Sequence, residues 1–296
     1  MVGSSIWRKL EGLGCKNLIG RTSGELDLTN QSKVHRFFTE NKIDYVIDAA
    51  AKVGGILANN EMPYPFLMTN LQIQNNLISA AHENGCEKFI FLGSSCIYPK
   101  LADQPLTESS LLTGPLEPTN EWYAIAKIAG VKACEAIRKQ FNKDFVSLMP
   151  TNLYGPNDNF DLKTSHVLPA MLRKFHEAKV NGNQAVKLWG SGSPFREFLH
   201  VDDLADSVVF ALQNELPEPL YNVGSGEDLS IKELATVIQS AVGHSGDIIW
   251  DSSKPDGTPR KLMDSNKMRS LGWSPKIGLQ EGILNTYEWF LTNHEK

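Results

Sequence analysis

Ser94 and Cys96 stand two residues apart in the run Gly93-Ser-Ser-Cys-Ile-Tyr98, and Tyr123-Ala-Ile-Ala-Lys127 follows further along the chain on what reads as a helix. These residue types suit the reduction of a carbonyl by a nicotinamide, together with proton movement beside that carbonyl. A hydride arriving at a ketone carbon leaves an alkoxide, so an acid must wait at the oxygen, and Tyr123 fits that task. An unperturbed tyrosine titrates near pH ~10. Lys127, one helical turn on, falls on the same face, where its charge would favour the phenolate and draw the tyrosine pKa down. Ser94 would hold the same oxygen by a second hydrogen bond. Alone, Tyr-x-x-x-Lys is a weak signal: among seven tyrosines, chance supplies about half an occurrence. The bland alternative is an aromatic beside a solvated lysine. Position favours the functional reading, because Lys88-Phe-Ile-Phe-Leu92 is an apolar run of buried-strand type. It puts Ser94 just past a strand's carboxyl end, where open α/β sheets bind ligands. By residue type alone, Cys96 reads first as a small buried hydrophobe and His166 as structural.

A chain of 296 residues that is 41% hydrophobic can bury a large core. Its net charge of −5, with scattered basic residues, argues against nucleic acid as partner. The four cysteines, Cys15, Cys86, Cys96 and Cys134, show no C-x-x-C spacing, which points to a reducing cytoplasm. No apolar run approaches the ~18 residues of a membrane span, and no signal-peptide pattern or internal repeat is present.

Strand and helix patterns alternate in the first half, the rhythm of βαβ units. Residues 4–13 read as a helix, 17–20 as a strand, 32–40 as a helix, 45–50 as a strand and 64–84 as a helix closed by Gly85. The strand at Phe89, a helix from about 121 to 140 and a strand at 145–149 follow. Beyond Pro156, apolar runs at 186–189, 220–223 and 248–250 alternate with helices near 168–178, 203–213 and 230–242. Asp202 and Asp203 read as caps of the helix that follows them. The expected fold is α/β: a Rossmann-like doubly wound parallel sheet over residues 1–155, with a smaller α/β substrate-binding portion over 156–296. Parts near 195–215 are expected to pack back on the first domain. A dinucleotide-binding unit opens with a buried strand and a glycine-rich turn, whereas Met1-Val-Gly3-Ser-Ser reads as only the last corner of that turn. The expectation is a protein whose start lies roughly ten residues upstream, since a sheet without its central strand leaves unpaired backbone and a void.

Several strings together carry a resemblance: Ala49-Ala-Ala-Lys-Val-Gly-Gly-Ile56, Leu92-Gly-Ser-Ser-Cys-Ile-Tyr-Pro-Lys100, Glu117-Pro-Thr-Asn-Glu121, Pro150-Thr-Asn-Leu-Tyr-Gly-Pro156, Trp189-Gly-Ser-Gly192, Arg196-Glu-Phe-Leu-His-Val-Asp-Asp203 and Lys254-Pro-Asp-Gly-Thr-Pro-Arg-Lys261. The chain resembles the GDP-L-fucose synthases, within the extended short-chain dehydrogenases/reductases, from Met1 nearly to Lys296. That resemblance implies epimerisation of GDP-4-keto-6-deoxy-D-mannose at carbons 3 and 5, then reduction at carbon 4 by NADPH. It assigns Tyr123, Lys127 and Ser94 to the carbonyl, Cys96 as base and His166 as acid. For the cofactor it implies Gly3 at the pyrophosphate turn and Asp27 and Leu28 at the adenine. Leu92, Gly93, Ser94 and Ser95, with Pro150, Thr151, Asn152 and Leu153, would border the nicotinamide along with Lys127 and His166. Arg21 is available for a 2′-phosphate, Ser23 occupies a position that can carry arginine in the family, and Asp27 could instead cap a turn. The substrate positions are Asn152, Lys174, Trp189, Arg196 and Asp256, with Lys174 equally readable as a surface lysine. A homodimer is implied, with helices 64–84 and 121–140 as its interface. The small-residue face of Ala126, Ala129, Ala133 and Ile137 suits either that interface or the sheet. Two rivals are a 4-epimerase or dehydratase of the same fold, which would recycle its nicotinamide, and a non-catalytic cofactor-sensing or scaffold homologue that has lost its glycine turn and binds cofactor poorly.

Overall fold

The structure, a computed structural model, describes residues 1–254 and 256–294. In chain order the elements are α1 (Val2–Gly12), α2 (Gln31–Glu40), β1 (Tyr45–Asp48), α3 (Ile56–Glu61), α4 (Pro63–Glu83), β2 (Lys88–Leu92), α5 (Glu121–Phe141), β3 (Asp144–Pro150) and β4 (Asn152–Tyr154). They continue with α6 (Val167–Val180), β5 (Ala185–Trp189), β6 (Phe195–His200), α7 (Val201–Gln213), β7 (Leu220–Val223), β8 (Asp228–Ser230), α8 (Ile231–Val242), β9 (Asp247–Asp251), β10 (Arg260–Lys261), α9 (Asn266–Ser270) and α10 (Leu279–Asn293).

Strands β1, β2, β3 and β7 form a parallel sheet in that order. Alternate residues along β2 and β3 serve two layers, as the period of a strand requires. Phe89, Phe91, Phe145 and Met149 pack with Val34, Leu77 and Val131 from α2, α4 and α5. Ile90, Leu92, Val146 and Leu148 pack with Ile6, Leu204 and Val208 from α1 and α7. This two-sided burial explains why these strands read as unbroken apolar runs. Helix α7 and strand β7 therefore lie with the first half of the chain. In the remaining portion β6 pairs with β4, β10 and β8, and β5 pairs with β9. A separate core joins Leu172, Phe175, Leu234, Ile238 and Phe290 of α6, α8 and α10. Ser230 and Glu233 close a reciprocal capping box at the start of α8, and Gly243 ends that helix with φ 76°.

Three expectations are corrected, and one open alternative is resolved. Residues 17–20 run as irregular, largely exposed chain, because among the described residues no strand lies beside them to complete a ladder, and β1 is the sheet edge. Gly3 sits inside the first turn of α1, not in a turn ahead of it. Asp202 and Asp203 are not the caps of α7: His200 is, its side chain accepting from the Asp202 N–H. Asp203 instead accepts from the N–H groups of Lys276 and Ile277 at 2.9 and 3.0 Å, and Asp202 accepts from Ser5 and Arg8 of α1. Ala126 is fully buried, and Ala133 and Ile137 pack against the core, so that stripe faces inward.

Helix α5 approaches β2 closely at Gly130, where a Cβ would fall 2.4 Å from the Phe91 ring and 3.0 Å from Gln74. Gly130→Val should therefore cost about 1–3 kcal/mol of stability through overpacking, measured by urea unfolding.

Asp48 breaks the apolar pattern of the sheet. It shares the face of Val46, stands opposite Phe91 in register and is 2% exposed. Burial pushes its pKa up to about 6, opposed by the Lys127 ammonium. A carboxyl raised in the folded state binds its proton there while the unfolded chain has released it, so its contribution to stability falls as pH rises from about 4 to about 6. Asp48→Asn should remove that loss: relative to wild type it should gain about 3 kcal/mol across this window, read from unfolding curves of both proteins at each pH.

Candidate active site

All five residues of β2 are buried, and the chain turns tightly after them: the Gly93 N–H donates to the Leu148 carbonyl at 2.9 Å. A Cβ on Gly93 would lie 2.0 Å from the Met149 methyl, so a side chain here would have to displace the end of Met149. Ser94 then starts a one-turn 3-10 helix, Ser95–Ile97, and its Oγ accepts from the Cys96 N–H at 3.4 Å. Hydroxyl and thiol thus leave the same turn at the carboxyl end of the sheet. Across from them, α5 presents Tyr123 and Lys127. The Tyr123 hydroxyl shares the cavity wall with Ser94, and its ring packs edge-on against Phe66 at 6.4 Å.

Lys127 does not draw the phenol's pKa down as expected. Its Nζ donates to the Leu92 carbonyl at 2.8 Å, lies 4.6 Å from the Phe91 ring centroid and is 6.0 Å from that of Tyr123. Burial pushes the Tyr123 pKa well up, Cys96 and Asp48 add to this, and only the Ser94 side chain opposes it. The phenol is therefore held protonated, the form that donates. Burial lowers the pKa of Lys127, with Asp48 acting in the other direction.

Ser94, Cys96, Tyr123, Asn152 and His166 line one cavity of about 350 Å³. His166 reaches it at the start of α6, after a loop held in two ways. Asp161 accepts from Lys163, from the Thr164 N–H and from the Thr164 hydroxyl, while the Gly55 N–H donates to the Thr164 carbonyl at 3.0 Å. A Cβ at Gly55 would meet the Ser165 carbonyl at 2.8 Å, so this junction needs glycine. Burial raises the Cys96 pKa, opposed first by the charge of Lys261 and then by the Ser94 hydrogen bond and Lys127. Desolvation against the cavity walls lowers the His166 pKa, although the residue as a whole is exposed. The resting pair is thus a thiol and a neutral imidazole.

Trp189, 52% exposed, also lines this cavity, with the Lys174 and Lys254 ammonium groups 5.6 and 5.4 Å from its ring centroid. Lys174 also donates to the Lys187 carbonyl. Arg196 lines the same cavity, its Nη1 donating to the Phe195 carbonyl at 2.7 Å. Both Asp256 oxygens accept from Ser191, and the Asn152 amide donates to the Glu197 carbonyl at 2.8 Å, so these two residues shape the cavity wall. Lys254 and Lys261 escaped the residue-by-residue reading although both lie in the string that ends at Lys261. Nothing in their spacing marks them.

The nicotinamide end of a dinucleotide fits this arrangement. Leu92 to Ser95 and Pro150 to Leu153 lie at the carboxyl ends of neighbouring parallel strands, and the donors Ser94, Tyr123 and Lys127 converge there. The expected adenine end is more open. Arg21 and Ser23 are exposed, and Arg21 donates to its neighbour's carbonyl. Asp27 closes its own turn by accepting from the Thr29 N–H and hydroxyl, and Leu28 packs inward, its carbonyl accepting from Asn76. A larger groove of about 830 Å³, bordered by Ser225, Asn266 and Arg269, contains none of Ser94, Cys96, Tyr123 or His166.

The pattern of the NAD dependent epimerase/dehydratase family matches residues 1–224. The chain is 59% identical over 293 residues to GDP-L-fucose synthase 1 of Arabidopsis thaliana, covering 99% of this chain and 91% of that one. It is 52% identical over 305 residues to GDP-L-fucose synthase of Escherichia coli K12, covering 100% and 95%. The solved structure of a GDP-L-fucose synthetase from Naegleria fowleri bound to NADP superposes with a TM-score of 0.91 at 29% identity, covering 100% of this chain and 91% of that one. A parallel sheet carrying Ser94, Tyr123 and Lys127 at its carboxyl edge, matched over most of its length by that pattern and by these relatives, belongs to the NAD dependent epimerase/dehydratase family.

Proposed function

We propose that the chain is an NADPH-dependent enzyme that converts GDP-4-keto-6-deoxy-D-mannose to GDP-L-fucose by epimerising carbons 3 and 5 and reducing carbon 4. The observation that carries this reading is the convergence of Ser94, Cys96, Tyr123 and His166 on the wall of one cavity. The identity of the chain with fucose synthases over nearly its whole length supports it.

Ser94 and Tyr123 hold the keto oxygen. With that oxygen gripped, negative charge from a removed neighbouring C–H proton has a place to rest. Cys96 takes that proton and His166 returns one to the opposite face of the carbon. Because sulfur rests protonated and the ring neutral, moving one proton from thiol to imidazole prepares both groups without net uptake. Reduction would use the same grip: a dinucleotide held beside Leu92 to Ser95 and Pro150 to Leu153 would supply hydride chemistry, Tyr123 gives its proton to the oxygen and Lys127 balances the charge left behind. Trp189 stacks on the nucleobase, and Lys174 and Arg196 meet the diphosphate. Arg21 and Ser23, exposed beside Asp27, would receive the adenosine end with its 2′-phosphate. Residues 1–155 form the cofactor domain and 156–296 mainly the substrate domain, with α7 returning to the first. The free thiols suit a cytoplasmic setting. A homodimer through α4 and α5 is supported by the large apolar side chains that these helices leave exposed, Tyr64, Trp122 and Ile125.

Incubation with keto sugar and NADPH should consume one NADPH per GDP-L-fucose formed; a cofactor recycled without net oxidation would instead indicate a 4-epimerase or dehydratase. Cys96→Ser should abolish solvent-deuterium entry into the keto sugar, and exchange at the wild-type rate would remove Cys96 from the chemistry. Tyr123→Phe should slow reduction by about 10²–10⁴-fold while sparing exchange more, as measured by NADPH absorbance and mass spectrometry of the sugar.

A further inference from the structure

Strand β10 has two residues, and they point in opposite directions, as a strand's period demands. Arg260 turns outward onto the Asp228 carboxylate, with Nε–Oδ2 at 2.6 Å and Nη2–Oδ1 at 3.1 Å. Lys261, opposite Arg196 in register with β6, turns inward to line the cavity that holds Cys96. The segment is pinned on both sides. The Thr258 hydroxyl donates to Glu117 at 3.3 Å, and the N–H groups of Leu262 and Met263 donate to Gln104 and Glu197 at 2.8 and 2.9 Å. Lys261 is therefore held by its strand and not by its own tip.

That tip is unusual. Among the described residues, the Lys261 ammonium has no hydrogen bond or ion pair, whereas buried Lys88 meets Asp144 and two carbonyls and Lys127 meets Leu92. Glu117, a carboxylate whose charge acts on Lys261, is already engaged by Lys100 at 2.9 Å. Arg196 repels Lys261 from the neighbouring strand. A desolvated cation without a partner is costly unless a negative charge develops beside it. Cys96 is the group placed to develop one. It is faced by Ser94 from its own turn, by Tyr123 and Lys127 from α5 and by Lys261 from β10, and of the two cations Lys261 acts on it more strongly.

We propose that Lys261 is a positioning residue for Cys96, its ammonium stabilising the thiolate that takes a proton from the carbon beside the keto group. The sulfur lone pair binds that proton and returns to the thiol, while the C–H electron pair passes to the oxygen held by Ser94 and Tyr123. The inference rests on the role proposed above for Cys96, yet its test needs no sugar.

Iodoacetamide alkylation of the full chain, followed against pH and read at the Cys96 peptide by mass spectrometry, separates this thiol from Cys15, Cys86 and Cys134. Lys261→Met should move the midpoint upward and slow alkylation near neutral pH by about tenfold, the effect of a shift of roughly one pH unit. Lys261→Arg should keep the wild-type profile, which also shows that the fold tolerates change at this position. With keto sugar present, deuterium exchange should fall in Lys261→Met by a similar factor. A Lys261→Met profile superimposed on wild type, or a Lys261→Arg protein that reacts as slowly as Lys261→Met, overturns the assignment. A protein that fails to exchange or reduce the keto sugar but keeps the alkylation difference sinks the proposed function and leaves the Lys261–Cys96 coupling standing.

Discussion

Helix α5 lies as near to β2 as it does because residue 130 has no side chain, and the Phe91 ring fills the space a Cβ would take. Close seating has a direct chemical consequence. It lets Lys127, on the same helix, reach the Leu92 carbonyl, and it brings Tyr123 one turn earlier against the cavity that Ser94 lines. A helix standing a side chain's width further out would lose both placements together. The tight turn at Gly93 works from the other side, holding Ser94 and Cys96 against β3.

Burial sets the charge states that this geometry can use. Tyr123 stays protonated, Cys96 rests as a thiol and His166 as a neutral ring, because desolvation penalises each ionised form. The fixed charges nearby are mostly cations: Lys127, Lys261 and Arg196. A pocket of neutral donors among cations favours substrates and intermediates that bring or develop negative charge, which a nucleoside diphosphate and an enolate both do. Asp48 is a buried carboxyl whose charge acts on Lys127, and its pKa of about 6 marks the cost of keeping it there.

Two other buried carboxylates hold the later chain in place. Glu197 accepts from the N–H groups of Gly226 and Met263, and Asp203 from those of Lys276 and Ile277. Each satisfies backbone donors that irregular segments would otherwise leave unpaired. Through Glu197 the cavity wall at β6, the turn after β7 and the strand that carries Lys261 become one unit.

The layers were legible in the chain because a buried parallel strand and an amphipathic helix each leave a local, periodic trace. The runs at Phe89, Phe145 and Leu220 became neighbouring strands, and Ser94 fell at a carboxyl end as its position implied. Residues 17–20 have the composition of a strand, but a strand is made by its neighbour, and none lies beside them among the described residues. Asp202 and Asp203 look like caps, yet distant backbone donors and α1 claimed them. Lys127 shares a face with Tyr123 but answers to a carbonyl on another strand, and Lys261 becomes a neighbour of Cys96 only when β10 docks on β6. Periodicity and turn chemistry are short-ranged and survive in a linear string. The direction of a charge and the burial of a titrating group depend on segments far apart in sequence, so only the folded chain decides them.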